Sequence, residues 1–225
     1  LSTEVFDRLK AMITLGELKP GDQMPSEREL MEQFGVGRPA IREAMQALSN
    51  IGLLTITHGE RAKVLQLSPR SLIGQVDTVA EIMLSTSPDA LSHLKDARAF
   101  FERGIIRQAA ERATAADLQA LWDLVALQRE ALGNAEAFIA ADMRFHTRIA
   151  AISGNPIFEA VSEAMLGWLK QYHTDLLIWS GKEKLTLAEH GEIVGAIESG
   201  DPVAAEQAME RHLARSAALY VHQAG

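Results

Sequence analysis

Pro25–Leu54 reads PSERELMEQFGVGRPAIREAMQALSNIGLL, and its punctuation decides the fold of the N-terminal part of the chain. The Ser26 hydroxyl is placed to cap a helix, with Glu29 three residues on as the capping-box partner. Leu30, Met31 and Phe34 then recur on one side of that helix. Gly35-Val36-Gly37 makes a tight turn, and a further helix runs from Arg38 to Asn50 with Ile41, Met45 and Leu48 as its buried stripe. Pro39 suits a first helical turn, where its missing N–H costs nothing.

Working outward, Val5, Leu9, Met12 and Ile13 mark an earlier helix, which Gly16 and Pro20-Gly21 stop. Downstream, LLTITHGERAKVLQL is β-branched on both sides of His58-Gly59 and predicts a two-stranded hairpin. Three short helices and a hairpin describe a winged helix-turn-helix over residues 1–67. Shape alone leaves open a helical domain that never meets DNA.

The basic residues bear on that choice. Arg28 falls in the first turn of the second helix. Arg38 and Arg42 lie one turn apart at the start of the third, roughly opposite its apolar stripe. The N-terminal turns of such a helix enter the major groove, where arginine makes two hydrogen bonds to guanine. His58-Gly59-Glu60-Arg61 offers an imidazole and a guanidinium at a wing tip suited to a minor groove. The alternative is that these arginines solvate a surface and pair with Glu29, Glu32 and Glu43.

These residues carry a resemblance. PSERELMEQFGVGRPAIREAMQALSNIGLL followed by THGERAKV is similar to the DNA-binding domain of the GntR family of bacterial transcription regulators. In its FadR subfamily, the arginine of the Pro-Ser-Glu-Arg motif, two arginines flanking the start of the third helix and a His-Gly at the wing contact operator DNA. The resemblance implies those roles for Arg28, Arg38, Arg42, His58 and Gly59. Where many relatives carry Gly-x-Gly at the wing, this chain has Gly59-Glu60-Arg61.

Beyond the polar joint Ser68-Pro69-Arg70-Ser71, read as a linker, the pattern over residues 72–225 is helical almost throughout. Seven helices are predicted: Leu72–Ser85, Leu91–Glu111, Asp117–Ala131, Ala135–Ile152, Pro156–Ile178, Lys184–Glu198 and Pro202–Val221. They form an antiparallel bundle, so the fold class is mainly α. Asp142 and His146 are four apart, one above the other on one helix face. His190 and His212 lie on the last two helices. One carboxylate and three imidazoles suit zinc, nickel, manganese or iron(II), with positions left for water or an anion. Phe138, Ile139, Phe145 and Ile149 flank the pair, and an unpartnered carboxylate is costly in such apolar surroundings.

FIAADMRFHTRIAAISGNPIF, EHGEIVGAIESGDPVAAEQAMERHL and LKDARAFFE resemble the FCD ligand-binding domain of the FadR subfamily. The resemblance implies that Asp142, His146, His190 and His212 hold a divalent metal, zinc first among the candidates. It also implies that Arg98 lines the cavity above it as partner for a small-molecule carboxylate effector. Regulators of this type respond to sugar acids (sialic acid among them), aromatic acids, hydroxy acids and folate-like acids. A buried pair with Glu102, one turn on, is the other reading of Arg98. His93, His173 and His222 match no motif.

Composition sets the outer limits. The 225 residues contain no cysteine and carry a formal charge of −8, which excludes disulfide scaffolds, thiolate catalysis and cysteine-based zinc fingers. No apolar run approaches the ~20 residues of a bilayer span, and a cytoplasmic protein without a membrane partner is expected. Net acidity argues against a nonspecific nucleic-acid coat. It is unevenly placed, however: 8 basic and 9 acidic residues precede Ser68, and 14 basic and 21 acidic ones follow from there on. The expectation is a homodimeric, metal-dependent repressor that reads double-stranded operator DNA. The alternative is a metal-dependent hydrolase or lyase using the Asp/His cluster.

Overall fold

The computed structural model describes residues 1–57, 59–87, 89–170 and 182–217, and the chain divides into two compact units, Leu1–Gln75 and Val76–Gly225.

In the first unit α1 (Ser2–Thr14), α2 (Glu27–Phe34) and α3 (Arg38–Asn50) are followed by β1 (Leu54–Thr55), β2 (Lys63–Val64) and a short α4 (Pro69–Gly74). The capping box forms as the sequence predicts: Glu29 N–H donates to Ser26 Oγ at 3.2 Å, and Ser26 N–H donates to Glu29 Oε2 at 2.6 Å. Gly35 ends α2 at φ 65°, a left-handed conformation that glycine adopts without a Cβ clash. Val5 and Leu9 of α1 pack with Leu30, Ile41, Met45 and Leu48 and with Leu54 and Val64 of the wing in one core. Each such side chain contributes about 1.5–3 kcal/mol on leaving water. The hairpin is shorter than its β-branched sequence suggests. Leu54 opposes Val64 and Thr55 opposes Lys63. The segment before α2 then takes over part of the pairing, because Met24 N–H donates to Ala62 O and Val64 N–H to Asp22 O.

The joint between the halves differs from the expected linker. Ser68 and Ser71 exchange backbone-to-hydroxyl hydrogen bonds of 2.9 and 3.0 Å, so these polar residues start a helix. The single predicted helix Leu72–Ser85 is two, α4 and α5 (Asp77–Thr86), interrupted after Gly74. Gln75 donates from its amide to Ile51 O at 2.9 Å, which ties the interruption to the first unit.

The second unit continues with α6 (Ala90–Arg112), α7 (Ala115–Glu130), α8 (Ala135–Ile152), α9 (Pro156–Lys170), α10 (Glu183–Glu198) and α11 (Pro202–Ser216). The predicted extensions of the last part of α9 to Ile178 and of α11 to Val221 run into residues outside those described, as do His173 and His222. Helix starts are set by local chemistry. Thr114 and Asp117 form a second capping box, and Asp201 accepts from Val203 N–H and Ala204 N–H ahead of Pro202. α6 packs on α11, α7 on α8 and α10 on α11. Their shared core includes Ile106, Leu121, Phe138, Phe145, Ile149, Ile193 and Met209. α6, α8, α10 and α11 each direct polar side chains into this apolar interior.

Candidate metal centre and nucleic-acid interface

The first unit presents its arginines to solvent. Arg28, Arg38 and Arg42 have side chains 84%, 63% and 70% exposed, the last two as expected for groups on α3 opposite its buried Ile41, Ala44, Met45 and Leu48. Their acidic partners are only partly those expected. Arg28 Nε lies 3.4 Å from Glu32 Oε1, whereas Arg38 and Arg42 share Glu27. The Glu27 oxygens lie 3.3 Å from Arg38 Nε and 3.1 Å from Arg42 Nε. Glu27 was missed by the sequence reading, because it reaches across from the first turn of α2 to the first turns of α3. Exposed pairs of this kind contribute about 0–1 kcal/mol, little enough for a phosphate or base to displace. Glu27 therefore holds two guanidiniums side by side without committing them. At the wing, Gly59 has φ 81°, so any other residue there would be strained; His58 lies outside the described residues.

In the second unit, Asp142, His146, His190 and His212 converge from three helices. One ligand atom from each lies within 4.8 Å of the others, and all four residues are buried. Asp142 and His146 share a face of α8, His190 comes from α10 and His212 from α11. The His190 Nε2 to Asp142 Oδ1 distance is 3.4 Å, and His146 Nε2 is 3.9 Å from Asp142 Oδ2. The Phe145 ring stacks on the His190 ring, centroids 4.1 Å apart, and restricts how that imidazole turns.

What surrounds the four ligands defines their chemistry. Glu102 of α6 accepts from His146 Nδ1, Gln128 Oε1 of α7 accepts from His190 Nδ1 at 2.8 Å, and Glu189 of α10 accepts from His212 Nδ1 at 2.8 Å. The Gln128 amide nitrogen donates to Asp142 Oδ1 at 3.1 Å, which settles which end of the amide faces His190. Each Nδ1 therefore carries a proton, and the Nε2 atoms of His146 and His190 face Asp142. His146 Nε2 and His190 Nε2 are buried and make no hydrogen bond to any of the described residues. Two acceptors without a donor, at the same place in an apolar core, carry a desolvation cost that a cation would relieve.

The electrostatics agree. Burial alone would raise the Asp142 carboxyl, but His146, His190 and His212 beside it outweigh burial and hold it well below the usual carboxylate range. Burial likewise works against ionised Glu102, yet the Arg98 guanidinium and His146 bring its pKa down to about 2. Burial pushes His190 well below the ordinary imidazole value, and His212 of the neighbouring helix adds to the effect. His212 is lowered too, chiefly by burial, against the opposing hydrogen bond from Glu189. Burial biases His190 and His212 toward the neutral form, which is the form that binds divalent transition metals.

Arg98 forms the buried pair that is the second of its two sequence readings. Its Nε lies 2.5 Å from Glu102 Oε1 in that pair, and Arg98 is also among the residues lining a cavity of about 230 Å³, with Lys95, Asp96, Arg103, Glu210 and Ser216. Beside the cluster, Arg215 makes a parallel arrangement, donating to Glu189 at 2.5 and 2.6 Å and to Thr186 Oγ1 at 2.8 Å. Gln128, Glu102 and Glu189 were not foreseen as partners of the histidines. Only Gln128 left a trace in the sequence: Leu121 and Val125 predict an apolar residue where that amide stands.

A winged helix-turn-helix with arginines at its helix starts, joined to a helical unit with a buried polar cluster, is the construction of a two-domain DNA-binding regulator. Comparison with known proteins agrees. Residues 1–64 match the family described as bacterial regulatory proteins, gntR family, and residues 93–215 match the FCD domain. The chain is 40% identical over 216 residues to the HTH-type transcriptional repressor NanR of Escherichia coli (strain K12), covering 95% of this chain and 81% of that protein. It is 39% identical to NanR of Edwardsiella tarda over the same length, with 82% of that protein covered. Among solved structures, Streptococcus agalactiae GntR superposes with a TM-score of 0.72 at 27% identity, over 97% of this chain and 99% of that one. E. coli McbR/YncC shares the fold at a TM-score of 0.55 and 19% identity.

The chain belongs to the GntR family of bacterial transcription regulators and carries an FCD domain. It is a DNA-binding regulator and not an enzyme, so the hydrolase or lyase reading of the Asp/His cluster is set aside. Among the described residues no helix is long and apolar enough to cross a membrane.

Proposed function

We propose that this chain is a metal-dependent transcription repressor that binds operator DNA as a dimer and responds to a small carboxylate metabolite. The observation that carries the reading is the cluster of Asp142, His146, His190 and His212, with all three Nδ1 protons donated outward and two buried Nε2 atoms without a hydrogen-bond partner among the described residues. Three imidazoles and one carboxylate favour zinc, then nickel, manganese or iron, over magnesium or calcium. A bound ion would supply positive charge and open coordination positions. Arg98, on the wall of the adjoining cavity, would hold an effector carboxylate by a two-pronged hydrogen bond. Sugar acids such as sialic acid head the list of effectors to test, followed by aromatic, hydroxy and folate-like acids.

At the DNA, Arg28, Arg38, Arg42, His58 and Gly59 are the contact residues, with the two α3 arginines reading the major groove. One winged domain with few base contacts gives little discrimination, so a dimer on two half-sites about one helical turn apart is expected. Association is supported by Val79, Ile82 and Met83, exposed together on α5, and by Phe100, 86% exposed on α6. Repression is supported by the 40% identity to proteins named as repressors. The effector acts by binding the DNA-competent and DNA-incompetent arrangements with different affinity. The test is thermal unfolding with a panel of carboxylic acids, before and after chelator treatment. An acid that raises the midpoint only of the metal-loaded protein supports the reading. No shift with any acid, in a protein shown to hold metal, overturns the sensing mechanism.

A further inference from the structure

Two carboxylates, the buried Glu102 and the half-buried Glu189, each join an arginine to a histidine of the cluster. Glu102 spans Arg98 and His146, one oxygen to each. Glu189 spans Arg215 and His212. The two arrangements are chemically alike, but their surroundings differ. Among the described residues the 230 Å³ cavity is lined by Arg98 and not by Arg215. The first arrangement therefore connects the cluster to a cavity, whereas the Arg215 and Glu189 side chains, 18% and 15% exposed, meet solvent directly.

This placement has a consequence. A carboxylate that accepts an N–H from a metal-bound imidazole makes that imidazole a better ligand, and the more negative charge it retains, the stronger the effect. Glu102 shares its charge between His146 and Arg98. An anion in the cavity draws the Arg98 guanidinium toward itself and takes part of that compensation. The Glu102 oxygens then present more charge to His146, and His146 binds a cation more tightly.

We propose that Glu102 is a positioning residue that links the two sites, so that an anion held by Arg98 tightens metal binding through His146. This is additional to any direct contact between anion and metal. Reciprocity makes the metal tighten anion binding by the same factor. Glu189 supports His212 but takes no part in this linkage. The inference rests on the reading of the cluster as a metal centre.

The experiment measures the zinc dissociation constant of the full chain by competition with a chromogenic chelator, with and without saturating acetate. It is run on wild type, Glu102→Gln, Glu189→Gln and Arg98→Lys. Glutamine is isosteric and still accepts the imidazole N–H, and lysine keeps the buried cation but loses the fork that serves two anions. Acetate is expected to tighten zinc binding in wild type about 5- to 150-fold, the usual range of such couplings. The ratio should fall at least threefold in Glu102→Gln and in Arg98→Lys. In Glu189→Gln zinc should bind about 10- to 100-fold more weakly, with the acetate ratio within twofold of wild type. An unchanged ratio in Glu102→Gln and Arg98→Lys overturns the linkage while leaving the metal centre standing. Zinc binding that survives replacement of His190 by Ala unaltered in strength overturns the metal centre, and the linkage with it. If Glu102→Gln fails to fold, Arg98→Lys decides the matter alone.

Discussion

Gln128→Met separates the organisation of the metal cluster from the packing around it. Gln128 is fully buried on α7. It donates to Asp142 Oδ1 at 3.1 Å and accepts from His190 Nδ1 at 2.8 Å. Methionine has nearly the same volume, so packing is preserved while both hydrogen bonds vanish. The His190 N–H is left without an acceptor, at a cost of about 1–3 kcal/mol, and an ionised carboxylate loses a donor, worth about 1.5–3 kcal/mol. Part of this is offset because the amide itself need no longer be desolvated, giving a net loss of about 2–4 kcal/mol. At about 2–4 °C per kcal/mol for a chain of this size, the metal-free melting temperature should fall by roughly 4–16 °C. The proton on His190 Nδ1 is then no longer held in place, and zinc affinity should drop about 10- to 100-fold. The control is Leu121→Ala on the same helix, also fully buried. It should cost about 2–5 kcal/mol of stability and leave zinc affinity within a factor of a few. Thermal unfolding measures the first quantity and chelator competition the second. The reasoning is refuted if Gln128→Met folds and binds zinc within twofold of wild type, or if Leu121→Ala weakens zinc equally.

Replacing Arg38 or Arg42 by Ala should weaken operator binding about 5- to 150-fold, the worth of one bidentate guanine contact, with the circular dichroism spectrum unchanged; fluorescence anisotropy with operator and scrambled duplexes checks this. Glu27→Gln removes the acidic partner shared by Arg38 and Arg42. It should raise affinity for scrambled DNA more than for operator, and steepen the salt dependence measured between 50 and 200 mM, roughly the span over which counterion release is pronounced. His190→Ala and His212→Ala should each lower bound zinc to well under one ion per chain by elemental analysis. Full loading in both variants would refute the ligand assignment.

Much of the architecture was legible because it rests on local chemistry. The Ser26–Glu29 box, Gly35 at φ 65° and Asp201 ahead of Pro202 each act within four residues, so sequence spacing alone specifies them. Asp142 and His146 belong to the same class: four residues apart on a helix, they must share a face. The misread joint also has a local cause. The same serines that suggest a linker supply each other's cap, and a polar run does not reveal which of the two it is. Glu27 escaped notice because its partners lie on a different helix, at a distance set by the Gly35–Gly37 turn and the α2–α3 packing.

By itself, then, the sequence determined the winged helices, the helical second unit and the identities of the four converging side chains, because periodicity and caps encode helices and helices encode faces. The supporting shell of the cluster was decided by tertiary structure. Glu102 meets His146 across 44 residues of chain and Gln128 meets His190 across 62. Hydrogen bonds at such separations depend on how helices pack, on their rotation and crossing, which one sequence does not express. That packing also makes Arg98 both the partner of Glu102 and one of the residues lining the cavity.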